Sequence, residues 1–129
     1  MAGIITKKIY YHDTDAGGVV YYASYLKFFE EGRTRYFEDK GIFTEELLKQ
    51  NIAFVVAKAN VEYKKPLRYM DSAKIITDVK NSGNFSIVFL QKVMKNDDLC
   101  CVAEITVVCV NDKMKPVKIP EKVKQAIRR

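Results

Sequence analysis

Residues 99–110 read LCCVAEITVVCV, and their alternation sets the architecture. Successive side chains of a strand point to opposite faces, so Cys101, Ala103, Ile105, Val107 and Cys109 share one face, and Cys100, Val102, Glu104, Thr106 and Val108 the other. Both faces are largely apolar, which predicts a strand covered on both sides. One side would meet a helix of the same chain and the other a neighbouring subunit or short helices.

Working outward, three more β-branched runs precede it: AFVVAKANVEYKK from residue 53, AKIITDVK from residue 73 and FSIVFLQKVM from residue 85. The breaks between the last three runs, at residues 81–84 and 96–98, are short and rich in Asn, Asp, Ser and Gly, so those strands form an antiparallel meander. Further upstream, apolar residues at Tyr22, Leu26, Phe29, Tyr36 and Phe37 recur at helical spacing, predicting a long helix from residue 21 or 22 to residue 40, stopped by Gly41. A short second helix follows, with Thr44 as its cap and Glu45 and Glu46 in the first turn. KKIYYH, residues 7–12, reads as a first strand, and the tail after Pro120 as a final helical turn or two on the surface. The layout is α+β: one long helix against an antiparallel sheet, in a single domain over residues 1–129.

The formal charge of +6 is as consistent with general solubility as with an anionic partner, such as phosphates, an acidic carrier protein or nucleic acid. The lysines are scattered, and no nucleic-acid-binding element accompanies them. Local basic clusters occur only at Lys64, Lys65 and Arg68 and in the tail from residue 122. No stretch approaches the ~18 apolar residues of a membrane span, and the first residues do not form a signal peptide, so the expectation is a cytoplasmic protein without membrane insertion. The three cysteines, Cys100, Cys101 and Cys109, lack the paired spacing of a zinc site and read as reduced core thiols.

Between the first strand and the long helix lies DTDAGG, residues 13–18. Gly17 and Gly18 permit a tight backbone turn and leave open space beside Asp15. Asp13 reads as a turn-shaping residue, His12 as the end of a strand outside any chemistry, and Ser24 as a first-turn helix residue without a base to activate it. Glu30 and Arg33 are spaced for an ion pair on the helix. Gly32, costly inside a helix, implies close packing there.

The stretch YHDTDAGGVVYYASY, residues 11–25, followed by EEGRTR, residues 30–35, resembles the 4-hydroxybenzoyl-CoA thioesterase family of hotdog-fold proteins, and within it the Tol-Pal-associated acyl-CoA thioesterases. The likeness continues through residues 53–71 and 107–120. It implies a hotdog fold, a long central helix wrapped by a five-stranded antiparallel sheet, assembled as a homodimer or homotetramer. It also implies hydrolysis of a thioester on coenzyme A, or on acyl carrier protein, with no metal or organic cofactor. The family's catalytic aspartate corresponds to Asp15, and the backbone N–H that polarises the thioester carbonyl to that of Tyr21. Gly17, Gly18, Tyr22, Lys64 and Lys65 would border the substrate; the two lysines read equally as a solvated strand end. A carboxylate is charged at neutral pH and is able either to attack a thioester carbonyl or to activate water. N–H groups at a helix start suit the developing oxyanion. A non-catalytic module that binds acyl carrier protein in a lipid-synthesis assembly is the alternative. The chain departs from the pattern in two places: Gly83 and Asn84 stand where the 4-hydroxybenzoyl-CoA enzymes have arginines, and Tyr22 stands where the Tol-Pal-associated members usually have histidine.

Overall fold

The computed structural model describes residues 2–128. Strands β1 (Gly3–Lys8), β2 (Ala53–Tyr63), β3 (Ser72–Ser82), β4 (Ser86–Lys95) and β5 (Asp98–Val110) form one antiparallel sheet in the order β1-β3-β4-β5-β2. The β3-β4-β5 meander forms as its turn residues require, while β1 and β2 add to its two edges by long connections. Three α-helices accompany the sheet: α1 (Ser24–Asp39), α2 (Thr44–Lys49) and α3 (Glu121–Ile127). This is the helix-on-sheet architecture that the resemblance implied.

Helix α1 lies across the sheet with Tyr25, Phe28, Phe29, Gly32, Tyr36 and Phe37 buried. That stripe corrects the predicted phase: Tyr22 and Leu26 are 61% and 44% exposed. The chain does not become helical until Ser24, two to three residues later than the tyrosine pattern suggested, which leaves Tyr22 outside the helix, while Leu26, inside it, lies off the buried stripe. Gly41, at φ +78°, ends the helix as expected, with its own N–H on the Glu38 carbonyl and the Ile42 N–H on that of Phe37. Thr44 starts α2 but its side chain caps nothing; Phe43 occupies the cap position.

Gly32 is where α1 comes closest to the sheet. A Cβ there would lie 2.6 Å from Thr77 Oγ1 and 3.0 Å from both Gln91 Nε2 and Ile75 Cγ2. Thr77 and Gln91 are fully buried, and their polar atoms are satisfied within the interface: Gln91 Nε2 donates to the Phe29 carbonyl and to Thr77 Oγ1, each at 2.8 Å. Gln91 Oε1 accepts from Arg33 Nη1 at 3.0 Å. The predicted Glu30–Arg33 ion pair is thus replaced by a bond from Arg33 to the sheet, although the Glu30 charge still acts on the guanidinium. A buried, fully partnered network of this kind fixes one rotation and height of the helix on the sheet.

On β5, Cys101, Ala103, Ile105, Val107 and Cys109 are buried in the core, whereas on the other face Cys100 is buried but Val102, Glu104, Thr106 and Val108 remain half-open to solvent. The second face is therefore not covered within one chain. Strand β2 is an open edge over residues 56–60, exposed on both faces, with Val56 at 52%. Helix α3 buries Val123, Ala126 and Ile127, so it is more firmly docked than a surface turn.

Candidate active site

The predicted first strand ends early. β1 stops at Lys8, and residues 11–13 form a 3-10 turn instead of continuing it. The cause is Asp13, buried at 5% exposure, whose Oδ2 accepts the Tyr10 N–H at 2.9 Å while its own N–H donates to the Tyr10 carbonyl at 3.0 Å. That reciprocal closure bends the chain out of the sheet, and the turn-shaping role read for Asp13 is the one it performs. His12 sits in the same turn, exposed, stacked on Tyr10.

From there the chain makes a narrow excursion. Thr14 bridges Val20, Asp15 N–H donates to the Val19 carbonyl at 2.9 Å, and Gly18 N–H returns to the Asp15 carbonyl at 3.0 Å. Gly18 has φ +81°, a left-handed conformation that a side chain disfavours. Gly17 N–H donates to Asp15 Oδ1 at 2.8 Å, and a Cβ on Gly17 would stand only 3.2 Å from that oxygen. One carboxylate oxygen of Asp15 is therefore held by the glycine turn. Oδ2 has no protein partner among the described residues, and Asp15 itself is exposed.

The second arm of the excursion leads directly into α1. Val20 N–H is taken by the Leu67 carbonyl at 2.7 Å and Tyr21 N–H by the Asp13 carbonyl at 2.9 Å. The latter bond corrects the assignment of Tyr21 N–H to the oxyanion: that donor is committed to the turn. The next two donors are uncommitted. Among the described residues, the N–H groups of Tyr22 and Ala23 make no hydrogen bond, whereas Ser24 N–H bonds the Tyr21 carbonyl at 2.8 Å. They stand at the head of a sixteen-residue helix, where aligned peptide dipoles add positive potential. The charge of Asp15 is felt at the Tyr21 hydroxyl, whose pKa is raised first by its hydrogen bond with Tyr22, then by that neighbour's charge, burial and Asp15. The loop that carries the carboxylate thus runs directly into the helix head that carries the two donors.

Tyrosines frame it. Tyr21 and Tyr22 rings lie 4.6 Å apart, and Tyr63, at the end of β2, packs edge-on against Tyr25 at 5.5 Å and Tyr22 at 6.4 Å. Lys64 and Lys65 follow on the same strand end but are engaged in surface ion pairs, with Glu62 and Asp98 respectively, each at 2.9 Å. The turn at Gly83 and Asn84 is tied to the C-terminal segment: Asn84 accepts the Ile119 N–H on its carbonyl and Lys124 Nζ on its side chain.

One feature escaped the sequence reading. Between α1, α2 and β2 runs a groove of about 430 Å³ lined chiefly by Phe37, Leu47, Leu48, Ile52 and Phe54, with Glu30 and Arg33 among its few polar residues. It begins about two helical turns, ~10 Å, beyond the Tyr22 and Ala23 donors. Burial pulls the Arg33 guanidinium below its ordinary pKa, with Glu30 opposing. These residues come from three consecutive elements, joined by Phe89 and Val107 from distant strands, and periodicity alone marks them only as core.

A long helix seated on a five-stranded antiparallel sheet, with a glycine-bound aspartate just ahead of it, is the architecture of the hotdog fold. The family model for the thioesterase-like superfamily matches residues 10–127, and the chain belongs to that family. It is 41% identical over 118 residues to the acyl-CoA thioester hydrolase YbgC of Escherichia coli O6:H1, covering 90% of this chain and 88% of that one. It is 40% identical over 121 residues to the acyl-CoA thioesterase YbgC of Haemophilus influenzae, covering 92% and 89%. Among solved structures, a hypothetical protein from Aquifex aeolicus superposes with a TM-score of 0.91 at 28% identity, covering 96% of this chain and 98% of that one.

Proposed function

We propose that this chain hydrolyses acyl-CoA thioesters, giving the free acid and coenzyme A. The observation that carries the reading is the Asp15 carboxylate, oriented by Gly17 N–H, in the turn that leads directly to the unengaged N–H groups of Tyr22 and Ala23 at the helix head. The acyl-CoA hydrolase relatives, similar over nine-tenths of the chain, support the substrate class.

The chemistry needs two things from the protein. Asp15 either takes a proton from water as that water attacks the carbonyl carbon, or attacks it directly to form an anhydride that water then opens. In both routes the carbonyl oxygen gains negative charge, which the Tyr22 and Ala23 N–H groups stabilise. Collapse breaks the C–S bond and expels the coenzyme A thiolate, which takes up a proton. The groove along α1 supports an acyl group that is largely apolar, its size falling within the range of small-ligand pockets. Lys64 and Lys65, which follow Tyr63 at the end of β2, are the cations proposed to meet the coenzyme phosphates in exchange for Glu62 and Asp98.

The open β2 edge and the half-open outer face of β5 support assembly into a homodimer or homotetramer, decided by sedimentation at micromolar concentration. Acyl carrier protein remains a second carrier for the acyl group, favoured by the net positive charge, and the cytoplasm the proposed location. The test is thiol release from short, long and aromatic acyl-CoAs in parallel with the acyl-carrier forms. Turnover of at least one acyl-CoA is expected; binding of acyl carriers without thiol release from any substrate overturns the reading.

A further inference from the structure

Peptide geometry links the two free donors to specific acceptor contacts. In a trans peptide the C=O and the next residue's N–H point in opposite directions in one plane. Whatever grips the carbonyl therefore aims the N–H. The Tyr22 N–H shares its peptide with the Tyr21 carbonyl, which is held by Ser24 N–H at 2.8 Å within the first helical turn. The Ala23 N–H shares its peptide with the Tyr22 carbonyl, and that carbonyl is held from outside the helix: Tyr63 Oη donates to it at 3.1 Å.

We infer that Tyr63 is a positioning residue for the reaction: by donating to the Tyr22 carbonyl it aims and polarises the Ala23 N–H, one of the two donors to the oxyanion. The inference rests on the reading of Asp15 and the helix head as the active site. Tyr63 reaches across forty-one positions of sequence to make this bond, from the last residue of β2. Its ring is fixed edge-on between Tyr22 and Tyr25, so the hydroxyl is held in place rather than swinging free. A hydrogen bond to a peptide oxygen draws electron density from the same peptide's nitrogen, so each bond in the chain Tyr63 O–H, Tyr22 C=O, Ala23 N–H, oxyanion strengthens the next. The effect grows as charge develops on the substrate oxygen, and so appears in turnover more than in binding. The Tyr63 phenol is also suited to stay a donor. Burial raises its pKa above the ordinary value, with charge on Cys101 or Tyr22 adding to the effect.

The experiment compares wild type, Tyr63→Phe and Asp15→Asn, together with protein carrying 3-fluorotyrosine at position 63 only. Tyr63→Phe keeps the ring contacts and removes the hydroxyl; kcat is expected to fall about 3- to 10-fold, the scale of one neutral hydrogen bond, with KM within about twofold of wild type. The fluorinated phenol is a stronger acid and donor, so kcat near neutrality is retained or raised and its alkaline limb moves to lower pH. A merely structural tyrosine gives neither the KM-against-kcat split nor a response to phenol acidity. If Asp15→Asn is inactive while Tyr63→Phe turns over like wild type, or fluorination leaves the pH profile unchanged, this inference is wrong and the site reading stands. If Asp15→Asn itself retains activity, the site reading fails and takes the inference with it.

Discussion

Replacing Gly32 by alanine tests how tightly α1 is seated on the sheet. In an exposed helix the change would help by ~1 kcal/mol, because alanine is the better helix former. Here the new methyl would lie 2.6 Å from Thr77 Oγ1, inside any real carbon–oxygen contact, and 3.0 Å from the amide nitrogen of Gln91. Overpacking of a filled interface costs ~1–3 kcal/mol. If the helix lifts or Gln91 swings away, a buried amide loses the Phe29 carbonyl or Thr77, adding ~1–3 kcal/mol. The balance is a net destabilisation of ~3 kcal/mol, or a urea midpoint lower by ~1.5 M for a slope of ~2 kcal/mol per molar. Equilibrium unfolding followed by circular dichroism measures it. Combining the change with Thr77→Ala removes the closest clashing atom, so the double variant should be less destabilised than the two singles predict, by ~1 kcal/mol or more. A Gly32→Ala protein as stable as wild type would refute the close seating and, with it, the argument that the Arg33, Gln91 and Thr77 network sets the height of the helix head.

Gly18→Ala places a side chain at φ +81° and should cost ~1 kcal/mol of stability, with a loss in kcat/KM of ~10-fold or more as the Asp15 turn shifts; a variant with full activity would show that the turn tolerates rearrangement. Tyr22→Phe removes the hydroxyl of a ring that lies 4.6 Å from that of Tyr21 but leaves the backbone donors intact, so activity should fall by ~10-fold or less. Tyr22→His should remain active and add a titration between about pH 6 and 7, read from the kcat/KM profile. All three cysteines are buried, with burial pushing the Cys101 thiol up to about 12, so native protein at pH 8 should expose less than one thiol to a disulfide reagent within minutes and all three after denaturation; rapid native reaction would contradict the packing of β5.

The sequence carried the strands of the meander, because alternation and turn chemistry are local, and it carried Gly17, Gly18 and Gly32 as positions of special backbone or packing demand. It misled where residues of one type serve two structures. Tyr10, Tyr11 and His12 look strand-like, yet the Asp13 carboxylate closes a 3-10 turn around them. Tyr22 falls at a helical spacing from Leu26, yet Tyr22 precedes the helix, which starts at Ser24, and Leu26 lies off its buried stripe. The donors proposed for the oxyanion could not be chosen from the motif alone, since the bond that commits Tyr21 N–H runs to a backbone carbonyl, which no side-chain pattern marks. Arg33 likewise found Gln91, fifty-eight residues away, in place of its helical neighbour Glu30. What stayed hidden, the groove and the Tyr63 contact, depends on which elements the topology brings side by side.

The central claim is that Asp15 supplies the base or nucleophile and the protein backbone supplies the oxyanion site. Asp15→Asn tests it most directly, because the amide oxygen can still accept the Gly17 N–H and preserve the turn, while the charge and the proton acceptor are lost. With the variant shown to be folded by circular dichroism and assayed on the best acyl-CoA substrate, kcat/KM is expected to drop by ~10³-fold or more. Retention of more than about a tenth of wild-type activity would contradict the account.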